Sequence, residues 1–165
     1  MITLRKLNPN QDCLNLFKFI KKNGADVFPN QVDFINFDEF QRWLTDQMVG
    51  FYHDLYIFEE SNTANYVIGF ALAYDYRVYD GHCQLCVCVS KEIDSNMLGS
   101  FIEMLFKEYP LNKVFWKVVA TDERILNLAC ALGFTKEMVL KDYCYKNGKY
   151  QDLWVLSFYS SVQRN

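Results

Sequence analysis

Apolar and polar side chains change period several times along this chain. Residues 3–7 alternate, as a short strand does, and Asn8-Pro9 ends the run. Cys13, Leu16, Phe17 and Ile20 then recur at helical spacing, with Lys18, Lys21 and Lys22 among them. That spacing predicts an amphipathic helix closing at Asn23-Gly24. Residues 25–37 keep neither period. With Phe28, Phe34 and Phe37 set around Pro29, they read as a loop or a broken helix. Asp38 is placed to cap a second helix, with Phe40, Trp43, Leu44 and Met48 on one face.

The rest of the chain alternates strands with two further helices. Residues 55–60 read as a strand, 61–65 as a turn and 66–77 as a long strand. Tyr79-Asp80-Gly81 marks a hairpin turn into a strand at 82–89, rich in Val and Cys. Met97, Phe101, Met104 and Leu105 place a helix at 95–109, stopped by Pro110. A strand at 114–120 precedes a helix at 122–132, closed by Gly133 at the position after its C-cap. A strand from Phe134 to Tyr145, an Asn147-Gly148 turn and a strand at 150–159 complete the pattern. The predicted class is α/β: a mixed, mostly antiparallel sheet of six to seven strands with four helices.

Length and charge narrow the function classes. At 165 residues the chain is expected to be one domain, 1–165, burying roughly 70% of its unfolded surface. Seventeen basic and 20 acidic side chains leave a net charge of −3, which gives no attraction for a polyanion, so nucleic acid is not an expected partner. The longest apolar run, 66–74, is interrupted by Gly69 and ended by Asp75. It is far short of the ~20 residues of a spanning helix, so no membrane partner is expected. The first residues lack the apolar region of a signal peptide. The expected location is the cytoplasm, with Cys13, Cys83, Cys86, Cys88, Cys130 and Cys144 reduced. His82-Cys83-x-x-Cys86-x-Cys88 has metal-binding residue types. On a strand, however, His82, Cys86 and Cys88 share one face at roughly 6.5 Å spacing and cannot converge on one ion, so no metal is expected. Trp43, Trp116 and Trp154 read as core.

The last third carries a family resemblance. Asp122-Glu-Arg-Ile-Leu-Asn-Leu-Ala-Cys-Ala-Leu-Gly133-Phe134 resembles the GNAT acetyltransferase stretch that reads Asn-x-x-Ser, then Leu, then Leu-Gly-Phe. The segment from Val139 through Asn147-Gly148 to Asp152 resembles that family's closing hairpin, most of all in the branch acting on ribosomal-protein N-termini and polyamines. The element order fits as well, so the resemblance spans nearly the whole chain. It implies a GNAT-like fold, acetyl-CoA as co-substrate, a primary amine as acceptor and direct acyl transfer. It also implies a cleft between the strands at 85–89 and 114–120, with the helix near Ser95 meeting the pyrophosphate through its N-terminal N–H groups. The cofactor-binding candidates that follow are Val87, Cys88, Val89, Asn96, Met97, Leu98, Gly99, Ser100 and Asp122.

Several positions depart from the family pattern. Its phosphate loop, Gln/Arg-x-x-Gly-x-Gly/Ala, matches Asp94-Ser-Asn-Met97-Leu98-Gly99, followed by Ser100. Asp94 brings a carboxylate toward a pyrophosphate, or else it serves as the helix cap. If it caps, phosphate binding falls to the N–H groups of residues 96–100 and to Lys91. The family asparagine that meets pantetheine is Asp122 here, and the tyrosine acid is Ala129. The strand position that carries a glutamate base in the histone-type branch is Gln84. His82, two residues earlier on the same face, titrates near neutrality and is a candidate base, or an idle turn residue. Tyr143 and Tyr145 alternate onto one face and are candidate acids for the leaving thiolate, or half-buried strand residues. Phe28, Phe37, Tyr74 and Tyr76 are candidates for an acceptor pocket, or packing.

Two classes of function follow. The first is an N-acetyltransferase acting on a small amine, a polyamine or a peptide N-terminus, with the carbonyl polarised by an N–H near residues 87–89. The second is a GNAT-fold module that binds acyl-CoA or a protein without turnover, motivated by Gln84, Asp94, Met97, Asp122 and Ala129. A monomer or a homodimer is expected, the dimer through the strand at 150–159 as an exposed edge.

Overall fold

The computed structural model describes residues 1–23, 36–50, 54–60, 66–90 and 93–160. In chain order these form β1 (Ile2–Lys6), α1 (Pro9–Asn23), α2 (Phe37–Gly50), β2 (Asp54–Glu60), β3 (Tyr66–Arg77) and β4 (His82–Val89). There follow α3 (Ser95–Glu108), β5 (Lys113–Val119), α4 (Glu123–Ala131), β6 (Thr135–Lys146) and β7 (Lys149–Tyr159). The sheet order is β1-β2-β3-β4-β5-β7-β6. β4 pairs with β5 in parallel, whereas β1–β2, β2–β3, β5–β7 and β6–β7 are antiparallel. This is the mixed, mostly antiparallel α/β architecture expected. The readings of residues 25–35 and 61–65, including Phe28 and Phe34, lie outside the described residues, as does Lys91. Two compact units divide the chain: Met1–Tyr74 with Cys86–Ile93, and Asp75–Leu85 with Asp94–Asn165.

In the first unit, α1 and α2 bury one stripe each. Cys13, Leu16, Phe19 and Ile20 of α1 and Phe40 and Leu44 of α2 pack with Leu55, Ile57, Phe70 and Leu72 of the strands. Phe17, expected on the buried stripe, is at its rim instead, with its ring 5.7 Å from Phe37 and 5.4 Å from Phe40. The cap of α2 is Asn36 rather than Asp38. Its Oδ1 accepts from the Glu39 N–H at 3.0 Å, which places Asp38 inside the first turn. Asn caps as well as Asp does, so the helix starts two residues earlier than the sequence suggested. A polar clamp ties the strands to α1. Arg5 donates to both oxygens of buried Asp12 (2.7 and 2.8 Å) and to Glu59 (2.8 Å), and Asp12 also accepts from the Asn8 N–H (2.7 Å).

In the second unit, Leu98, Phe101, Ile102 and Leu105 of α3 are buried, as are Ile125 and Ala129 of α4. Val114, Trp116 and Val118 alternate inward from β5, and Trp116 meets Phe134 edge to face at 5.5 Å. Of the three tryptophans read as core, only Trp116 is. Trp43 is half-buried, and Trp154 is partly exposed beneath Lys136, whose Nζ stands 4.0 Å over the ring. Gly133 takes φ +89°, and the next N–H, of Phe134, closes back on the Ala129 carbonyl at 3.0 Å. That six-to-one bond after a left-handed glycine is how α4 stops. Asn147 and Gly148 both take positive φ (54° and 79°), the mirror-image turn that a two-residue hairpin needs.

One expectation about this sheet is overturned. The strand at 150–159 is no exposed edge. β7 lies between β5 and β6, bonded on both sides, and β6 takes the edge. The inward residues explain it: Leu153, Leu156 and Ser157 are buried on β7, while β6 is exposed along most of its length.

Candidate active site

β4 alternates strictly, with Cys83, Leu85, Val87 and Val89 buried and His82, Gln84, Cys86 and Cys88 half-buried. The parallel ladder runs from His82↔Lys113 to Leu85↔Trp116. Burial, with Cys88 as a lesser cause, pushes the Cys86 thiol far up, so it stays protonated and packs as a small apolar group. Among the described residues no cluster of three or more His, Cys, Asp and Glu is placed to hold a metal ion. None of the described helices is long and apolar enough to cross a membrane.

In the second unit, α3 begins at Ser95, with five residues between it and the end of β4. Asp94 is its N-cap: Oδ1 accepts the Asn96 N–H at 2.9 Å, and the Asp94 carbonyl accepts that of Met97 at 3.1 Å. Ser100 donates its hydroxyl proton to the Asn96 carbonyl at 3.0 Å. Leu98 is buried, and a Cβ on Gly99 would meet only Leu132, at an ordinary 3.5 Å. Asp122, matched by resemblance to a pantetheine-binding asparagine, caps α4. Its Oδ1 accepts from the Ile125 N–H at 3.2 Å. Ala129 is fully buried and belongs to the core.

The candidate acids and base differ in setting. The His82 ring packs edge to face on Phe115 at 5.3 Å. Its Nδ1 is buried and has no hydrogen-bond partner among the described residues. Tyr143 and Tyr145 are exposed. The β6–β7 ladder passes from Leu140↔Leu153 directly to Cys144↔Gln151, so four steps on β6 oppose two on β7. Tyr143 sits inside this bulge, where strict alternation no longer fixes its face. Tyr145 follows it, paired with Tyr150 with rings 5.2 Å apart. Asp152 holds the bulge, accepting from Lys141 Nζ (2.6 Å) and the Asp142 N–H (3.1 Å). Those bonds hold its carboxyl below the usual carboxylate range.

Phe37 and Tyr74 pack at the rim of the first unit's core. Tyr76 belongs to the second unit, with its ring 4.6 Å from that of Tyr109. Beside it stands a residue the sequence reading passed over. Asp75 takes φ +51° and accepts from Arg77 Nε (3.0 Å) and Gln84 Nε2 (2.9 Å). The interruption of an apolar strand by Asp-Tyr-Arg was the available signal.

Comparisons with known proteins bear on this arrangement. A ribosomal-protein-S5-alanine acetyltransferase from Vibrio fischeri superposes with a TM-score of 0.79 at 18% identity, covering 99% of this chain and 96% of that one. A dodecameric spermidine N-acetyltransferase from Vibrio cholerae gives 0.79 at 16%, covering 96% and 93%. A ribosomal L7/L12 alpha-N-protein acetyltransferase in complex with coenzyme A gives 0.78 at 15%, covering 96% and 93%. At these identities the likeness is one of fold. None of the curated proteins matches the sequence. The family described as "Acetyltransferase (GNAT) domain" matches residues 6–155, nearly the whole chain, and this protein belongs to that family of acetyltransferases.

Proposed function

We propose that this acetyltransferase moves the acetyl group of acetyl-CoA onto a primary amine by direct attack. The observation that carries the reading is the first turn of α3, capped at Asp94. A helix N-terminus offers N–H groups and a positive dipole end to a pyrophosphate. In this reading residues 96–100, Asp122 and the backbone of Val87, Cys88 and Val89 are the cofactor-binding residues. The N–H groups of the β4 segment polarise the thioester carbonyl. The amine nitrogen forms a bond to the carbonyl carbon, the carbon–sulfur bond breaks, and the thiolate takes up a proton. Tyr143 or Tyr145 supplies that proton, and His82 accepts the one lost by the amine. The candidates for acceptor recognition stay those named from the sequence: Phe28, Phe37, Tyr74 and Tyr76. The acceptor is a small amine, a polyamine or a peptide N-terminus. Free cysteines at all six positions support a reducing compartment, the cytoplasm.

A second reading rests on the occupied donors of α3. The Asn96 N–H is taken by Asp94 and the Ser100 hydroxyl by Asn96, which favours a module that binds acyl-CoA weakly, or a protein, without turnover. The test is release of free thiol from acetyl-CoA with a panel of primary amines and peptides, read with product mass. Thiol release that depends on the amine supports the enzyme. Binding of desulfo-CoA with no thiol released across the panel favours the module.

A further inference from the structure

Asp75 is a strand residue in a conformation that strands do not use. Its φ of +51° lies in the left-handed region, where aspartate and asparagine are the most tolerated side chains after glycine. The β2–β3 ladder ends at Asp54↔Ala73, two residues before it, and the second compact unit begins with it. The carboxylate is gripped from two sides, by Arg77 on Oδ1 and by Gln84 on Oδ2. Those two bonds occupy two of its roughly four acceptor positions. The side chain keeps 38% of its surface exposed. The result is a carboxylate fixed in direction and open to solvent.

Resting on the acetyltransferase reading, we infer that Asp75 recognises the acceptor, docking a cationic primary amine on its open lone pairs. Gln84 and Arg77 act as positioning residues. A primary alkylamine enters at neutral pH as an ammonium, since its pKa is near the ~10.4 of lysine. An ammonium carries only donors, and a carboxylate only accepts. Gln84 suits the neighbouring place because its amide donates to Asp75 without adding charge. A glutamate there would repel Asp75. Arg77 lowers the local negative charge but does not cancel it, because its side chain is 61% exposed and its charge is shared with solvent.

A structural role alone, satisfying the Gln84 amide at a kink, would be filled as well by asparagine. Asp75→Asn therefore isolates the charge, and it keeps the left-handed preference. The probe is 1,4-diaminobutane, with 1,4-butanediol as its neutral counterpart, titrated by calorimetry at low salt with and without desulfo-CoA. Wild type is expected to bind the diamine in preference to the diol. Asp75→Asn should weaken the diamine about tenfold, the scale of a hydrogen bond to a charged group. Moving the carboxylate across the same hydrogen bond, in the double variant Asp75→Asn with Gln84→Glu, should restore affinity to within about threefold. Asp80→Asn, an exposed carboxylate in the adjoining turn, should change nothing, and Arg77→Gln should tighten binding. Should Asp75→Asn fail to fold, the Arg77→Gln variant carries the test. Equal diamine affinity in wild type and Asp75→Asn, or wild type that does not prefer the diamine, overturns the assignment. Failure of the acetyltransferase reading shows separately, as absent desulfo-CoA binding and no thiol release, and the diamine titration still reports on Asp75.

Discussion

Asp94 serves two ends that pull apart, and substitution can separate them. Its side chain occupies the Asn96 N–H, a donor that the pyrophosphate of acetyl-CoA would use, and it sets a negative charge beside that donor. Two unit charges ~6 Å apart, about two hydrogen-bond lengths, interact in water by ~0.7 kcal/mol, and a doubly charged pyrophosphate doubles this. Screening over a Debye length of ~8 Å halves it again at physiological salt. The remaining ~0.7 kcal/mol is a factor of about three in Kd. The cap works in the opposite direction, contributing ~1 kcal/mol, or about 2–4 °C in Tm for a chain of this size. Asp94→Asn keeps the cap and deletes the charge. It should bind desulfo-CoA about threefold tighter with an unchanged Tm. Asp94→Ala deletes both. It should bind at least as tightly, because the Asn96 N–H is released, yet melt about 2–4 °C lower. Calorimetric titration at low and high salt, beside a melting curve, reads both quantities. The gap between wild type and Asp94→Asn should close as salt rises. Weaker binding by Asp94→Asn, or a gap indifferent to salt, would refute the reasoning and place the cofactor phosphates away from this helix.

Four other substitutions probe other links. A Cβ on Gly69 would collide with the Cys88 carbonyl oxygen and lie 2.6 Å from Val89 Cγ1, so Gly69→Ala should cost at least ~2 kcal/mol in urea unfolding. An unchanged midpoint would show that β4 yields there freely. Burial alone would raise the Asp12 carboxyl, but the hydrogen bonds from Arg5 and the Asn8 N–H and the Arg5 charge outweigh it, leaving it below the usual range. A lowered folded-state pKa gives stability that is complete above the unfolded value of ~3.9 and is lost as pH falls through the folded value. Stability should therefore drop steeply below about pH 4 in wild type and less so in Asp12→Asn, which should itself lose ~1–3 kcal/mol at pH 7. Equal acid sensitivity in the two proteins would remove Asp12 from that account. If Tyr143 or Tyr145 protonates the thiolate, its Phe variant should lower kcat about 100-fold with KM unchanged. Full activity in both variants would leave solvent as the proton source.

The fold was legible because its strongest signals are local. The Tyr66–Arg77 and His82–Val89 strands appear with the bounds predicted, since a long apolar run in the first, a Val- and Cys-rich run in the second and the Tyr79-Asp80-Gly81 turn between them mark both. Gly133 and Asn147-Gly148 mark their turns through a conformation that few other residues adopt. What the sequence hid is relational. No pattern within residues 150–159 says that β5 would be their partner, which requires knowing that Leu153 and Leu156 bury where Val114, Trp116 and Val118 also turn inward. The β6 bulge was equally silent, because it depends on Asp152 reaching back across the hairpin. At the candidate site Asp94 was readable as a cap from its place before a helical period. Asp75 was not, since its meaning lies in Gln84 on the neighbouring strand, nine residues on.

The place of β7 has a consequence during synthesis. β5 leaves the ribosome with one face full of Val114, Trp116 and Val118, but its antiparallel neighbour has not yet been made. α4 and β6 come first, about 30 residues between Val119 and Lys149. At about 5–20 residues per second, β5 waits roughly 2–6 s with its edge uncovered. β6 cannot fill the gap, because its own ladder is with β7. A nascent chain stalled before Lys149 therefore carries two strands seeking the same absent partner, and it is at that stage that a chaperone has most to shield.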